Sequence, residues 1–346
     1  MSRLQNCLLL IGLIIGQILT AQTAGNSAFA FINMPSSARE MALGSNLLCG
    51  SKTDLGQLWN NPASRTSLMN NTLMGSYNRY VSDIQSGFFC YAGQLKQKRS
   101  FAIGLLYNDY GQFKGMDEAG IATGNFGAQD QCFFLSYKSK VGPKGHFGIN
   151  TKYIYSIYEA FVSNGISTDL SYMYEDSSKK FNVTGFARNI GFQAIPYAGT
   201  ERQALPFELA VNLSKQLAHL PFRYQIILHH LQQPDMRYTI MNTGQKDEFG
   251  KDKIATMSMG DNILRHINFA GELFLSKQLT LRMGYNHMRR KEMTQEQKRG
   301  AAGFSWGLGL HYKKMELAYG SASYFAGQNA NQFSVLLKLS EFYKSK

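Results

Sequence analysis

QLTLRMGYNHM, residues 278–288, alternates without a break. Leu279, Leu281, Met283 and Tyr285 fall on one face, with Thr280, Arg282, Gly284 and Asn286 on the other. A side-chain period of two marks a β-strand with one apolar face. Residues 303–312, GFSWGLGLHY, set Phe304, Trp306, Leu308, Leu310 and Tyr312 against Gly303, Ser305, Gly307, Gly309 and His311. A water-soluble sandwich would bury such an aromatic face against a second sheet. Small residues behind an aromatic face instead suit the wall of a closed barrel whose outside meets lipid. The alternation recurs in PFELAVNLS (206–214) and GISTDLSYMYE (165–175), and less regularly in HFGINTKYIYSIY (146–158).

Working outward from these segments, about fourteen strands fit between Thr72 and Phe342. Their connections take turns in length. Short ones fall near Gln97, Gly142, Ser177, His219, Lys277 and Lys313. Long ones run from Tyr110 to Gln129, Ala160 to Gly165, Gly191 to Leu205, Gln233 to Leu264, Arg290 to Gly300 and Tyr324 to Asn331. Tight turns at one end and long loops at the other predict an all-β, antiparallel transmembrane barrel of about 14 strands, its turns periplasmic. The first connection, near Ser82-Asp83, is short where this rule predicts a long loop.

Composition agrees. The 346 residues are 44% hydrophobic, with 19 Tyr, 23 Phe and 33 Gly, and the mean hydropathy is -0.25. After the N-terminus no apolar run approaches the roughly 18 residues of a spanning helix, which excludes helical membrane proteins but not barrels. Residues 1–21 read as an export signal: Arg3, the apolar CLLLIGLIIGQIL, then small residues with cleavage after Ala21. Cys7 lies ahead of the apolar core. Cys49, Cys90 and Cys132 form no C-x-x-C pair, so neither a disulfide framework nor a zinc site is indicated.

Residues 22–71 carry no strand pattern but hold Leu43, Leu47, Leu48, Leu55, Leu58 and Trp59, more apolar bulk than a disordered tail needs. Ser36 or Ser37 can cap a short helix AREMAL that Gly44 ends, and Asp54 can cap LGQLW before Pro62 stops it. The segment reads as a plug folded into the lumen of a barrel formed by residues 72–346; a small periplasmic subdomain is the other arrangement it permits.

These residues carry a resemblance. SSAREMALG followed by DLGQLWNNPA is similar to the N-terminal plug pattern of the fatty-acid-transporter-like outer-membrane barrels, with Ser37, Ala38, Arg39, Gly44, Trp59, Asn61, Pro62 and Ala63 matching it. Within that superfamily, ARNIG and RHINFAGELFLSKQLTLRMGYNHMRRKE most resemble the PorV/PorQ family of the type IX secretion system. The resemblance spans the mature chain and implies a fourteen-stranded plugged barrel in the bacterial outer membrane. It also implies a non-catalytic role in an attachment complex, anchoring a PorZ-like surface protein beside the PorU and PorV sortase components that join cargo to lipopolysaccharide. The end SEFYKSK departs from the pattern, since it runs past the aromatic pair Phe342-Tyr343 on which many barrels stop.

No enzyme motif appears: H-E-x-x-H, G-x-S-x-G and a complete dinucleotide fingerprint are all missing. His229 and His230 read as strand neighbours, which point to opposite faces and so cannot share a metal. No cofactor is expected. Counting back from the turn at Lys277 sets Glu272 opposite Arg282, a lumenal ion pair. The net charge is +13, and Arg289, Arg290, Lys291, Lys298 and Arg299 cluster in one long loop, as solvated charge or as contacts to lipopolysaccharide phosphate. Dispersed basic residues on an exported chain speak against nucleic acid. The longest loop offers Met236, Tyr238, Ile240 and Met241 as a partner surface. A transporter of hydrophobic small molecules such as fatty acids is the alternative. It needs an apolar lumenal pocket, whereas Asn212, Ser214, Asn268, Glu272, Arg282 and Asn286 all point inward on this reading, leaving room only for a local pocket beside Trp59.

Overall fold

The computed structural model describes residues 27–80, 84–94, 100–117, 119–237, 239–240, 255–293, 300–325 and 328–339. The export signal, Tyr238, Met241, Gln97, Ser82-Asp83, Lys298, Arg299 and the C-terminal tail lie outside them, as do the side chains of residues 239 and 240.

Among the described residues, fourteen antiparallel strands close into one barrel. They are β1 (Thr72–Arg79), β2 (Gln85–Gln94), β3 (Ser100–Met116), β4 (Ala122–Val141), β5 (Gly145–Tyr158), β6 (Phe161–Asp176) and β7 (Phe181–Ile195), then β8 (Glu208–Gln216) and β9 (Phe222–Leu228). After an excursion that holds a two-residue pairing of β10 (Thr239–Ile240) with β11 (Ala255–Thr256), the wall resumes. Its last strands are β12 (Ile267–Phe274), β13 (Leu279–Asn286), β14 (Phe304–Tyr312), β15 (Met315–Phe325) and β16 (Gln328–Lys338). The seam joins β1 to β16, from Thr72 opposite Lys338 to Arg79 opposite Asn331.

The pleat sorts side chains as the alternation requires. In β14 Phe304, Trp306, Leu308, Leu310 and Tyr312 stand on the outer face, and Ser305 is buried inside. Trp306, Tyr319 and Phe333 follow one another across three neighbouring strands, with centroids 5.5 and 5.0 Å apart, an aromatic band on the outside of the wall. Asn212, Ser214, Asn268, Glu272 and Arg282 are buried in the lumen, with Asn286 partly so.

Three expected long loops are instead strand. β3 and β4 run on to Met116 and Ala122, β5 and β6 meet through residues 159–160, and β15 and β16 reach Phe325 and Gln328. Beyond the membrane both faces of a hairpin meet water, so the apolar alternation stops while the backbone ladder continues. The connection between β9 and β12 contains helix α2, and that between β13 and β14 contains α3 (His287–Glu292); α2 spans Met259–Arg265.

Inside the wall lies the chain from Ser27 to Asn71. Helix α1 (Ala38–Leu43) is capped by Ser37, whose hydroxyl accepts from the Glu40 amide at 3.2 Å, and ends at Gly44 with φ 69. The other candidate cap, Ser36, donates its own amide and hydroxyl to the Glu40 carboxylate at 2.8 and 2.9 Å. Asp54 accepts the Gly56 amide at 3.0 Å at the start of a 3-10 turn, Gly56–Trp59. Pro62 opens a further turn, Pro62–Ser64, rather than ending the structure. Helix α1 rests on β13 to β16, and the Pro62 turn on β4 to β6. Glycines allow that approach: a Cβ on Gly320 would overlap the Ala38 carbonyl, and one on Gly148 the Ala63 amide.

Candidate functional site

The lumen has two unlike halves. On the side of β1 to β5 and β16, the wall turns Met74, Phe88, Cys90, Leu106, Cys132, Phe134, Ile154 and Leu336 inward. Barrel interiors are ordinarily polar, so this is an unusual wall. The plug meets it with Phe31, Ile32, Leu55, Leu58 and Trp59. The fully buried Trp59 ring stands edge-on to Phe134 at 5.3 Å and to Phe88 at 6.0 Å, and its indole N–H donates to the Ile32 carbonyl at 3.0 Å. Lys152 lies 4.1 Å from the centre of the indole and 2.7 Å from the Asp169 carboxylate, both charges fully buried. Asn150 Nδ2 donates to the carbonyls of Leu58 and Trp59 at 2.9 Å each, fixing the backbone behind the ring.

On the side of β9 and β12 to β15 the lumen holds charge. Glu272 and Arg282 are register partners, with Nε 3.4 Å from Oε1. Two further guanidinium groups converge on the same carboxylate. Arg39 of α1 donates through Nε at 2.9 Å and Nη2 at 2.8 Å, a bidentate clasp, and Arg223 of β9 through Nη1 at 3.0 Å. Arg39 Nη1 lies 3.6 Å from Asp54, and Arg282 Nη2 lies 3.5 Å from Glu316. The column of charge therefore joins plug to wall as well as strand to strand. Sequence counting reached the hairpin partner alone, because no register relates a plug helix to the strand it rests on.

The other plug residues make single contacts, two to the wall and one within the plug. Ala38 N donates to Ser334 Oγ at 2.8 Å, Asn61 Nδ2 to the Leu48 carbonyl at 3.0 Å and Ala63 N to Ser171 Oγ at 2.9 Å. Gly44 closes α1 beneath β13, and Pro62 starts the turn on β4 to β6.

Over the long-loop end, the basic residues of α3 turn toward the protein. Arg289 lies 4.5 Å from the ring centre of Tyr324, and Arg290 Nη1 donates to the Gly300 carbonyl at 2.6 Å. Lys291 Nζ lies 3.1 Å from Asp261 in the first turn of α2. The same carboxylate takes Arg265 Nε at 3.0 Å and His287 Nε2 at 3.0 Å, so Asp261 clasps α2 to α3. Partial burial raises the Asp261 pKa, and the hydrogen bonds from His287, Arg265 and Lys291 outweigh it, leaving the carboxyl at about 2. Met236 N donates to Asn262 Oδ1 at 2.9 Å, pinning its loop to α2. Ile240 falls in the β10–β11 pairing.

The strand reading of His229 and His230 fails. β9 ends at Leu228, and His230 takes a left-handed φ of 55, which folds both rings to one side. Their Nδ1 atoms lie 2.6 Å apart and His230 Nδ1 lies 3.4 Å from Glu208.

No family model matches the chain, and no curated protein does. Among solved structures it is similar to the toluene transporter TbuX of Ralstonia pickettii, at 10% identity over 89% of this chain and 98% of that one, TM-score 0.50. The toluene transporter TodX of Pseudomonas putida is 12% identical over 87% and 96% of the two chains, TM-score 0.49. A Pseudomonas aeruginosa FadL homologue is 9% identical over 87% and 97%, also TM-score 0.49. The chain is an outer-membrane β-barrel of fourteen strands with the fold of that Ralstonia barrel.

Proposed function

We propose that this barrel takes up a small apolar molecule in the compartment beside Trp59 and passes it through the outer membrane. The inward-facing Met74, Phe88, Leu106, Phe134 and Ile154 carry this reading: they pack on the plug around Trp59, and wherever the plug yields they offer an apolar lining in a lumen that is ordinarily polar. Of the polar residues read first from sequence, Asn268, Glu272, Arg282 and Asn286 lie on β12 and β13, on the charged side of the lumen. The Ralstonia barrel of the same fold is named as a toluene transporter, a ligand of the chemistry such a compartment accepts.

Trp59 reports on occupancy. The chain has two tryptophans, so replacing Trp306 with Phe leaves Trp59 as the one indole emitter. Titrating the purified barrel with toluene, and separately with a straight-chain fatty acid, is expected to change Trp59 emission saturably. An unchanged spectrum with both ligands overturns the proposal.

A second reading is favoured by how firmly the plug is held. The bidentate Arg39–Glu272 contact, Ala38 to Ser334, Ala63 to Ser171 and Asn150 to the Trp59 backbone describe a barrel that stays shut. On that reading the chain is a non-catalytic PorV/PorQ-type anchor that holds a PorZ-like surface protein near PorU and PorV, with lipopolysaccharide as the acceptor of their cargo. Affinity purification from native outer membranes in mild detergent separates the two. Retention of a large surface protein with sortase components supports the anchor, and retention of an extractable apolar ligand alone supports the transporter.

A further inference from the structure

We propose that Glu208, His229 and His230 form a site for one zinc-class divalent cation at the long-loop end of the wall. One ligand atom from each of the three residues lies within 4.8 Å of the other two. Two imidazole nitrogens and one carboxylate oxygen are the donors that borderline cations such as Zn2+ prefer; hard cations such as Mg2+ take oxygen ligands. A tetrahedral ion with bonds of about 2.0–2.1 Å spaces its ligand atoms by about 3.3–3.4 Å. His230 Nδ1 and Glu208 Oε1 stand 3.4 Å apart, and the 2.6 Å between the two Nδ1 atoms opens to that spacing by a small ring rotation.

The surroundings prepare the site. His229 is 3% exposed, with the Asn268 side chain beside its ring. Arg188 Nη2 holds the other carboxylate oxygen of Glu208, which orients Oε1 toward the imidazoles in the manner of an outer-shell partner. The nearby His266 is not a fourth ligand, because its Nδ1 faces the Asn262 carbonyl at 2.8 Å and its Nε2 the Gln233 carbonyl at 3.0 Å. The His230 side chain is 34% exposed, so the fourth position opens to water. A bound ion would tie the start of β8 to the end of β9. Through Arg188, which also donates to Asn60 Oδ1, it would tie both to the plug.

The test uses the full-length, untagged barrel in detergent, titrated calorimetrically with Zn2+ alone, with Mg2+ alone as the control. One Zn2+ per chain is expected, and no Mg2+. His229→Gln and His230→Asn, the latter chosen because Asn tolerates a left-handed φ, should each weaken Zn2+ binding by more than about 100-fold, since loss of a mere outer-shell partner costs about 10–100-fold. Co2+ in place of Zn2+ should give the visible absorption of a tetrahedral site in the parent protein and not in the variants. Heat-modifiable migration of each variant shows that the barrel has folded. Stoichiometric Zn2+ binding that survives in both folded variants, or no saturable binding by the parent, overturns the proposal.

Discussion

Glu272 is the residue on which the charged half of the lumen turns. It answers Arg39, Arg223 and Arg282 at once, and removing its charge leaves Asp54 and Glu316 as the remaining carboxylates for three guanidinium groups in a buried setting. Glu272→Gln is therefore expected to cost about 3–5 kcal/mol, the usual range for breaking a buried pair, and to lower the temperature at which the barrel loses its folded migration on a gel. Arg282→Leu is expected to cost less, because Glu272 keeps two partners; an equal or larger loss would show that Arg282 is the hub. The hairpin pair was legible from the turn at Lys277, since antiparallel register is arithmetic once a turn is fixed. Arg39 and Arg223 were not, and neither was the meeting of His229 with His230, where one left-handed residue cancels the pleat.

At the scale of elements, strands with lipid on one side and lumen on the other declare themselves by alternation, which is why β8 and β12 to β14 could be read directly. The apolar half of the lumen was harder to see. Strands such as β2 and β4 are apolar on both faces, with Phe88, Cys90, Cys132 and Phe134 inside and Phe89 and Phe133 outside, and so show little contrast. The hairpin extensions were missed for the opposite reason, water on both sides. Helices α2 and α3 are joined by Arg265 with Glu292 at 3.4 Å and by Asp261, whose carboxyl lies below its ordinary value in the fold. A depressed acid stabilises the folded state above its unfolded pKa of about 3.9, and that contribution disappears as the pH falls through about 2. Hydrogen-exchange protection of residues 287–293 is expected to persist at pH 4 and to fall near pH 2. Asp261→Asn should lack that protection at neutral pH. Protection that is independent of both changes would mean that packing alone holds the pair.

For the whole molecule, the wall is a channel only in outline, because the plug occupies its bore from α1 on β13–β16 to the Pro62 turn on β4–β6. In planar bilayers the intact protein is expected to pass no steady ionic current, and a variant lacking residues 27–69 to conduct. A silent but inserted deletion variant would mean that the wall collapses into the space. The fourteen-stranded barrel was readable because strand count and connection parity are written along the chain, whereas the docking of plug on wall is a matter of shape, expressed by isolated glycines such as Gly148 and Gly320.

The seam between β1 and β16 joins the two ends of the wall, and the plug that lies within it precedes β1 in the chain. Thr72 is thus both the end of the plug's tether and the first residue of the seam, so the segment that fills the cylinder is anchored where the cylinder closes. With α1 against β13–β16 and the Pro62 turn against β4–β6, the plug also spans the cylinder from flank to flank and braces it from within, as a strut does a hoop.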